Sequence, residues 1–458
     1  MYDSLITPAR IHPWGSEELL EATEQDRARI VQAAPVRRLQ QKTQVFPLDV
    51  KASVRSRLTH SLEVQETGRQ ISRRILAALP AGTVCEGAFI NLVEMACLLH
   101  DVGNPPFGHF GEQVMSQWLA QSLDELFASA HEQLPSPQWA ELRQDLLVFD
   151  GNAQSLRLVH SLHEMNLTLG QLAALCKYPQ QPLLHSPQGY GQHHGWTSKR
   201  GIFFSEQPLY RALGQSLGLA PGCRHPLVYI MEAADDISYC IADLEDAVDR
   251  RILTLTQGEL LAALRSADEG DYMATLLEEA LASERGFFPH FRQQLTRDLV
   301  ALAAHTYVSD HEAILSGAYP RALLHGQAPA AQVLDTLKQV AREQVFMRPE
   351  VEALELEGYA ALRGVLSTYA CLLALPAAQF ERLLAGNGGS ELFFARRLFH
   401  RLSARHLKAY RLAVASRDPR FDNGAEQEWY YRVRLLLDYV SGMTDTYALE
   451  EFRLLSGI

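Results

Sequence analysis

The segment NLVEMACLLHDVGNPPFGHFGE, Asn91 to Glu112, is apolar around most of a helical circumference as far as Leu99, then turns polar at His100-Asp101. That all-round apolar character predicts a buried helix over Asn91–Asp101. Gly103, Pro105 and Pro106 end it, since proline cannot continue the helical ladder and glycine accepts the backbone conformations of a helix terminus. His100 and Asp101 therefore stand at the end of a core element, where an imidazole and an ionised carboxylate need partners. Alone the dipeptide is weak, because a chain with 17 histidines produces such pairs by chance and a hydrogen-bonded core histidine explains it as well.

Working outward, apolar residues recur mainly at spacings of three and four, and alternating runs are few and short, so an all-α architecture with at most a short hairpin is expected. The hairpin or loop is placed at Gln180–Gly201, dense in Gly, Pro, His and Gln. Gly386-Asn387-Gly388-Gly389 lacks the Lys-Ser or Lys-Thr of a phosphate loop and reads as a turn between helices. The longest apolar runs, Met95–Leu99 and Tyr369–Leu375, are far short of the about 18 residues a membrane span requires, and no signal peptide is visible, so a cytoplasmic protein without a membrane partner is expected. Six scattered cysteines with no C-x-x-C pair read as reduced and structural. Lys and Arg number 42 against 54 Asp and Glu, a net charge of −12 that argues against non-specific DNA coating but leaves local basic patches open.

Two further helices bear on His100-Asp101. One, predicted over Ser53–Leu76, carries His60, with Leu58 and Leu62 on the side expected to be buried. The other follows Pro226 and runs to Asp249; on it Asp235, Tyr239 and Asp243 fall at i, i+4 and i+8, along one face. Glu245, Asp246 and Asp249 read as its solvated side. His60, His100, Asp101 and Asp235 together make an N2O2 set suited to Mn²⁺, Fe²⁺, Co²⁺, Ni²⁺ or Zn²⁺, and to Mg²⁺ when substrate phosphates complete the shell.

That pattern resembles the HD-domain metal-dependent phosphohydrolases. Longer strings are more specific: RLQQKTQVFP (38–47), RSRLTHSLEV (55–64), LHDVGNPPFGHFGE (99–112), EAADDISYCIADLED (232–246) and LLLDYVSGMTDTY (435–447) resemble the bacterial deoxyguanosinetriphosphate triphosphohydrolases, the dGTPases, over nearly the whole chain. The resemblance implies one helical unit over 1–458, with an HD catalytic core at 30–250 and a helical extension at 251–458 that contributes pocket and interface. It implies hydrolysis of dGTP to deoxyguanosine and inorganic triphosphate by water attack at the α-phosphorus, with Mg²⁺ or Mn²⁺ the foremost metals. His60, His100, Asp101 and Asp235 would be the metal ligands. His109 would be the catalytic histidine, in the turn made by the glycines and prolines, and Glu112 would orient it or the water. Arg57, Lys177, Tyr178 and Lys199 would contact the triphosphate; Gln44, Tyr239 and Asp243 the deoxyribose; Val45 would act as steric gate beneath the sugar; Asn152 would lie on the base side. A homo-oligomer, with a hexamer favoured, is implied too.

Charge supports the cations. Asp101, Glu112, Asp235 and Asp243 would bring four negative charges to a site that also accepts a triphosphate, which one dication cannot balance in a low-dielectric cleft. Separately, residues 392–417 contain no Asp or Glu but carry Arg396, Arg397, Arg401, Arg405, Lys408, Arg411 and Arg417 among Phe393, Phe394, Phe399 and Tyr410. A helix with this basic and aromatic face suits either single-stranded DNA as an effector or a subunit interface. Two other functions stay open: a triphosphohydrolase of broader deoxynucleotide preference, and a non-catalytic nucleotide-sensing or DNA-binding HD protein.

Overall fold

The structure, a computed structural model, describes residues 2–48, 51–132, 135–179, 201–255, 259–267 and 270–457. Among them are 22 α-helices joined by short turns, with no strand; the pairing that occurs is two isolated bridges, Arg10 with Thr168 and Thr43 with Ser56. The all-α expectation holds. The expected hairpin or loop before Gly201 lies outside the described residues. The turn at Gly386–Gly389 is present after the Ala377–Leu384 helix, with Gly386 at φ +74°. None of the six cysteines is paired, and among the described residues no single helix is long and apolar enough to cross a membrane.

The helix carrying His60 starts at Arg57 rather than Ser53, because Ser56 and Thr59 form a reciprocal capping box: each side chain serves the other's backbone N–H. Leu62, expected inside, is half exposed, and it is Val64, Ile71 and Ile75 that are fully buried. The next helix is Glu86–Leu99; His100 is its C-cap and Asp101 lies just beyond. Pro226–Asp249 forms as the spacing predicts, with Pro226 in its first turn and the His225 side chain accepting the Leu227 N–H. These three helices meet at Gly68, where an added Cβ would lie 2.6 Å from Cys97 Sγ, 3.2 Å from Val93 and 3.7 Å from Ala234. Absence of a side chain there brings the three backbones close enough for His60, His100 and Asp235 to converge.

The acids at the end of the third helix are not all solvated. Asp246 is buried and Glu245 half buried, and both are engaged by the Arg55 guanidinium; Asp249 alone is exposed. The largest apolar cluster runs from Tyr2 to Val351, crossing residue 250. A second is built from Gly108–Ala130, Pro349–Leu373 and Gly424–Ser441 around Trp118, Trp139 and Trp429. Asp445 ties the clusters together at the site, accepting from the Phe107 N–H at 3.0 Å and the Thr43 N–H at 2.8 Å.

Candidate metal centre and its acid

His60 is fully buried, and its Nε2 lies 3.3 Å from Asp235 Oδ1. His100 Nε2 lies 3.4 Å from the same oxygen and 3.4 Å from Asp101 Oδ2, too long for good hydrogen bonds. The two rings meet edge to face, with centroids 5.4 Å apart. His100 Nδ1 is 2.7 Å from the Cys97 carbonyl, so it carries a proton, and Nε2 is the nitrogen left facing the carboxylates. The hydrogen bond of an ordinary core histidine is thus present and also sets the tautomer a metal ligand needs. His60, His100 and Asp235 offer ligand atoms all within 4.8 Å of one another. His60 Nδ1 and His100 Nε2 are buried with no hydrogen-bond partner among the described residues. His100 Nε2, unsatisfied beside two carboxylates and with His60 Nε2 facing the same Asp235 oxygen, fits a divalent cation.

Asp101 stands at the edge of this group. One oxygen is ion-paired with Arg57 and the other accepts from Asn104 Nδ2 at 2.7 Å. Burial disfavours the charged forms throughout, but it is outweighed: Asp101 and Asp235 push His100 up to about 9, and His100 in turn holds both carboxyls below their usual range. Lys177 Nζ, 3.3 Å from Asp235 Oδ2, adds a second cation, and Tyr178 is buried beside it. Arg57 and Lys177 are therefore brought to the site, though each is engaged by a carboxylate. Lys199 lies outside the described residues.

His109 and Glu112 lie on the first turn of the Gly108–Ala130 helix rather than in the preceding turn, three residues apart and on one face. Glu112 Oε2 accepts from His109 Nδ1 at 2.8 Å, and Oε1 accepts the Gly151 N–H at 2.6 Å. His109 itself is largely exposed, with Nε2 free for a ligand. Phe107, at φ +62°, and Gly108, at φ +56°, turn the chain into this helix, and a Cβ on Gly108 would overlap the Arg57 guanidinium. The histidine pair and the acid are thus neighbours through Arg57.

On the proposed sugar side, Gln44 Oε1 and Asp243 Oδ1 are buried without partners among the described residues. Burial, with Asp246 nearby, raises the Asp243 carboxyl above its ordinary value. Val45 is half buried, and Tyr239 lies with its ring 6.0 Å from Lys338 Nζ, itself paired with Asp236. Asn152 is held by Asp150, donating from both its backbone N–H and its side-chain amide.

The acid-free band is not one helix. It breaks between Phe393–Phe399 and Ala404–Ala415, and Phe399 and Tyr410 point into the core, so only Phe393 and Phe394 offer aromatic faces. Arg401 pairs with Glu451 and Lys408 with Glu164, while Arg396, Arg397 and Arg411 donate to backbone carbonyls. Arg405 meets His163.

Sequence reasoning missed Lys42, Asn104 and Gly151. Lys42 is buried, its Nζ donates to the carbonyls of Asn104 and Ser441, and burial lowers it to about 7. Lys42 and Asn104 lie inside the quoted strings, and their presence there was the available signal.

Known proteins resemble this chain along nearly its whole length. Residues 57–147 match the HD domain and 395–454 the phosphohydrolase-associated domain. Deoxyguanosinetriphosphate triphosphohydrolase of Enterobacter sp. (strain 638) is 40% identical, covering 97% of this chain and 96% of its own length. The enzyme of the same name from Klebsiella pneumoniae (strain ATCC 700721) is 41% identical over 99% of this chain and 96% of its own length. A probable deoxyguanosinetriphosphate triphosphohydrolase of Pseudomonas aeruginosa is 42% identical over 96% and 94%. With such identity sustained end to end, the chain belongs to the deoxyguanosinetriphosphate triphosphohydrolase family of HD-domain proteins.

Proposed function

We propose that the protein hydrolyses dGTP to deoxyguanosine and inorganic triphosphate, in a metal-dependent reaction at the His60–His100–Asp235 centre. The observation that carries the reading is the convergence of two buried imidazoles, through His60 Nε2 and His100 Nε2, on one Asp235 oxygen, with the His109–Glu112 pair alongside. A divalent ion, Mg²⁺ or Mn²⁺ in the first place, would be held by His60, His100 and Asp235 with Asp101 as fourth ligand, and supplies Lewis-acid polarisation of a phosphoryl oxygen and a more acidic water.

The remaining work falls to the chain. Arg57, Lys177, Tyr178 and Lys199 receive the triphosphate, with Arg57 and Lys177 already placed against Asp101 and Asp235. Glu112 can only accept while ionised, so it fixes the His109 proton on Nδ1 in the neutral ring; a protonated His109 then presents Nε2–H to the departing 5′-oxygen, and Glu112 steadies the cation. The free oxygens of Gln44 and Asp243 suit hydroxyl recognition, with Tyr239 beside them, Val45 excluding a 2′-hydroxyl and Asn152 on the base side. Residues 1–458 act as one unit, with the chemistry in 30–250. The basic surface of Arg396, Arg397, Arg401, Arg405, Lys408 and Arg411, already partly neutralised, serves a single-stranded DNA effector or an interface of a cytoplasmic homo-oligomer, a hexamer in this reading.

The test is purified protein with Mn²⁺ or Mg²⁺ and each deoxynucleoside triphosphate in turn, with chromatography for inorganic triphosphate. Release fastest from dGTP is expected. Equal release from all four would assign a broader triphosphohydrolase, and none from any, with metal bound, would assign a sensor.

A further inference from the structure

Gly151 occupies a junction that the reaction scheme leaves unused. Its N–H donates to Glu112 Oε1, and its α-carbon packs so closely on Asn104 and Glu112 that a Cβ would overlap Asn104 Oδ1 and stand 2.9 Å from Glu112 Oε1. Asn104 is the residue that holds Asp101. From the other side, Gly103 donates its N–H to Ser155 Oγ at 3.0 Å, and a Cβ on Gly103 would overlap the Gly151 carbonyl. One short backbone segment thus touches both the loop that positions Asp101 and the carboxylate that positions His109. What fixes that segment is Asp150, which caps the Gly151–Arg157 helix: its buried Oδ1 accepts the N–H of Asn152 at 2.8 Å and of Ala153 at 3.3 Å, together with the Asn152 amide at 3.1 Å. The Phe149 N–H, one residue earlier, is tied to Ser116 on the His109 helix at 3.0 Å.

We infer that Asp150 is a positioning residue of the reaction: by capping the Gly151–Arg157 helix it aims the Gly151 N–H at Glu112, and so registers His109 against the Asp101 loop. Its effect on His109 runs through Glu112, and a separate effect runs through the base-side Asn152, whose amide it holds. The inference rests on the assignment of His109 as the acid. Loss of the cap lets Gly151 withdraw, Glu112 swings, and the His109 ring loses its fixed orientation, while the two histidines and Asp235 stay where their own helices put them. The expected signature of the Glu112 link is therefore in kcat, with metal binding unchanged.

The experiment compares steady-state kinetics of dGTP hydrolysis, Mn²⁺ affinity and thermal unfolding for the wild-type full-length protein and variants. Asp150→Ala is expected to lose about 10- to 100-fold in kcat, part of the about 10²–10⁴ a positioned acid supplies, with Mn²⁺ affinity within about twofold and a separate rise in KM through the freed Asn152 amide. Asp150→Asn, an equally good cap, is expected to restore kcat to within about threefold of wild type. In a Glu112→Gln background the Asp150→Ala change is expected to add less than about twofold, because both act through one bond. If Asp150→Ala does not fold, Asp150→Gly, which a helix N-cap tolerates better than alanine, carries the same kcat expectation. Normal kcat in the capless variants while His109→Ala is inactive would overturn the positioning role alone, as would full additivity with Glu112→Gln. Normal kcat in His109→Ala would overturn the acid assignment beneath it.

Discussion

Replacing Arg57 with alanine tests how the site balances its charge. Arg57 is 3% exposed and its guanidinium is spent on Asp101, threading past the bare α-carbon of Gly108. The substitution leaves the Asp101 carboxylate, 16% exposed in its side chain, with Asn104 as its remaining firm partner beside the Asp235 carboxylate. Breaking a buried pair from one side costs about 3–5 kcal/mol, most of it the stranded charge. Unfolding entropy of about 2.1 cal/mol/K per residue gives about 1 kcal/mol/K for a chain this long, so in EDTA Tm should fall by about 3–5 °C. A dication replaces part of the missing charge, so the rise in Tm on adding Mn²⁺ should be larger in the variant than in wild type. Calorimetry at two scan rates, with EDTA and with Mn²⁺, measures both. An unchanged Tm in EDTA would refute the buried pair, and equal Mn²⁺ shifts would refute its connection to the metal centre.

Asp235→Ala should lose Mn²⁺ binding and turnover together, read by calorimetric titration and product release. His109→Ala should keep the metal and lose about 10²- to 10⁴-fold in kcat, and normal turnover there would remove its role. Gly103→Ala should fold poorly, since its Cβ meets the backbone of Gly151 and Ser155 rather than a movable side chain; soluble yield and Tm report it. Burial, with Glu112 nearby, raises the Asp150 carboxyl to about 6, above its unfolded value near 3.9, so the fold resists its ionisation. Asp150 therefore weakens the fold as pH rises from about 4 to about 6, by on the order of 3 kcal/mol, and adds no slope above that. Asp150→Asn should flatten this part of the stability profile in urea titrations; an identical profile in the variant would contradict it.

The helices were legible because their signals are local. Pro226 and the apolar spacing after it define this helix to within one residue of its observed span, Pro226–Asp249. The Ser56–Thr59 capping box would have moved the start of the His60 helix from Ser53, since it too is written in adjacent residues. Tertiary partnership was not legible. Asp246 looks like a surface acid until Arg55, 191 residues away, is folded against it, and Tyr410 looks like a stacking face until its helix is docked on the second core. The metal-ligand reading came from spacing and resemblance, and the geometry brings His60, His100 and Asp235 together while engaging Asp101 with Arg57. Asn104 and Gly151 stayed hidden because an amide and a glycine carry no chemical signature until their neighbours are known.

The central claim is that water attacks the α-phosphorus of dGTP at a centre made by His60, His100 and Asp235, with the 5′-oxygen leaving. Hydrolysis in ¹⁸O-enriched water with Mn²⁺, followed by mass spectrometry of both products, tests it most directly. One ¹⁸O atom in the inorganic triphosphate and none in the deoxyguanosine is the predicted result; label in the deoxyguanosine, or release of dGMP with diphosphate, would contradict it.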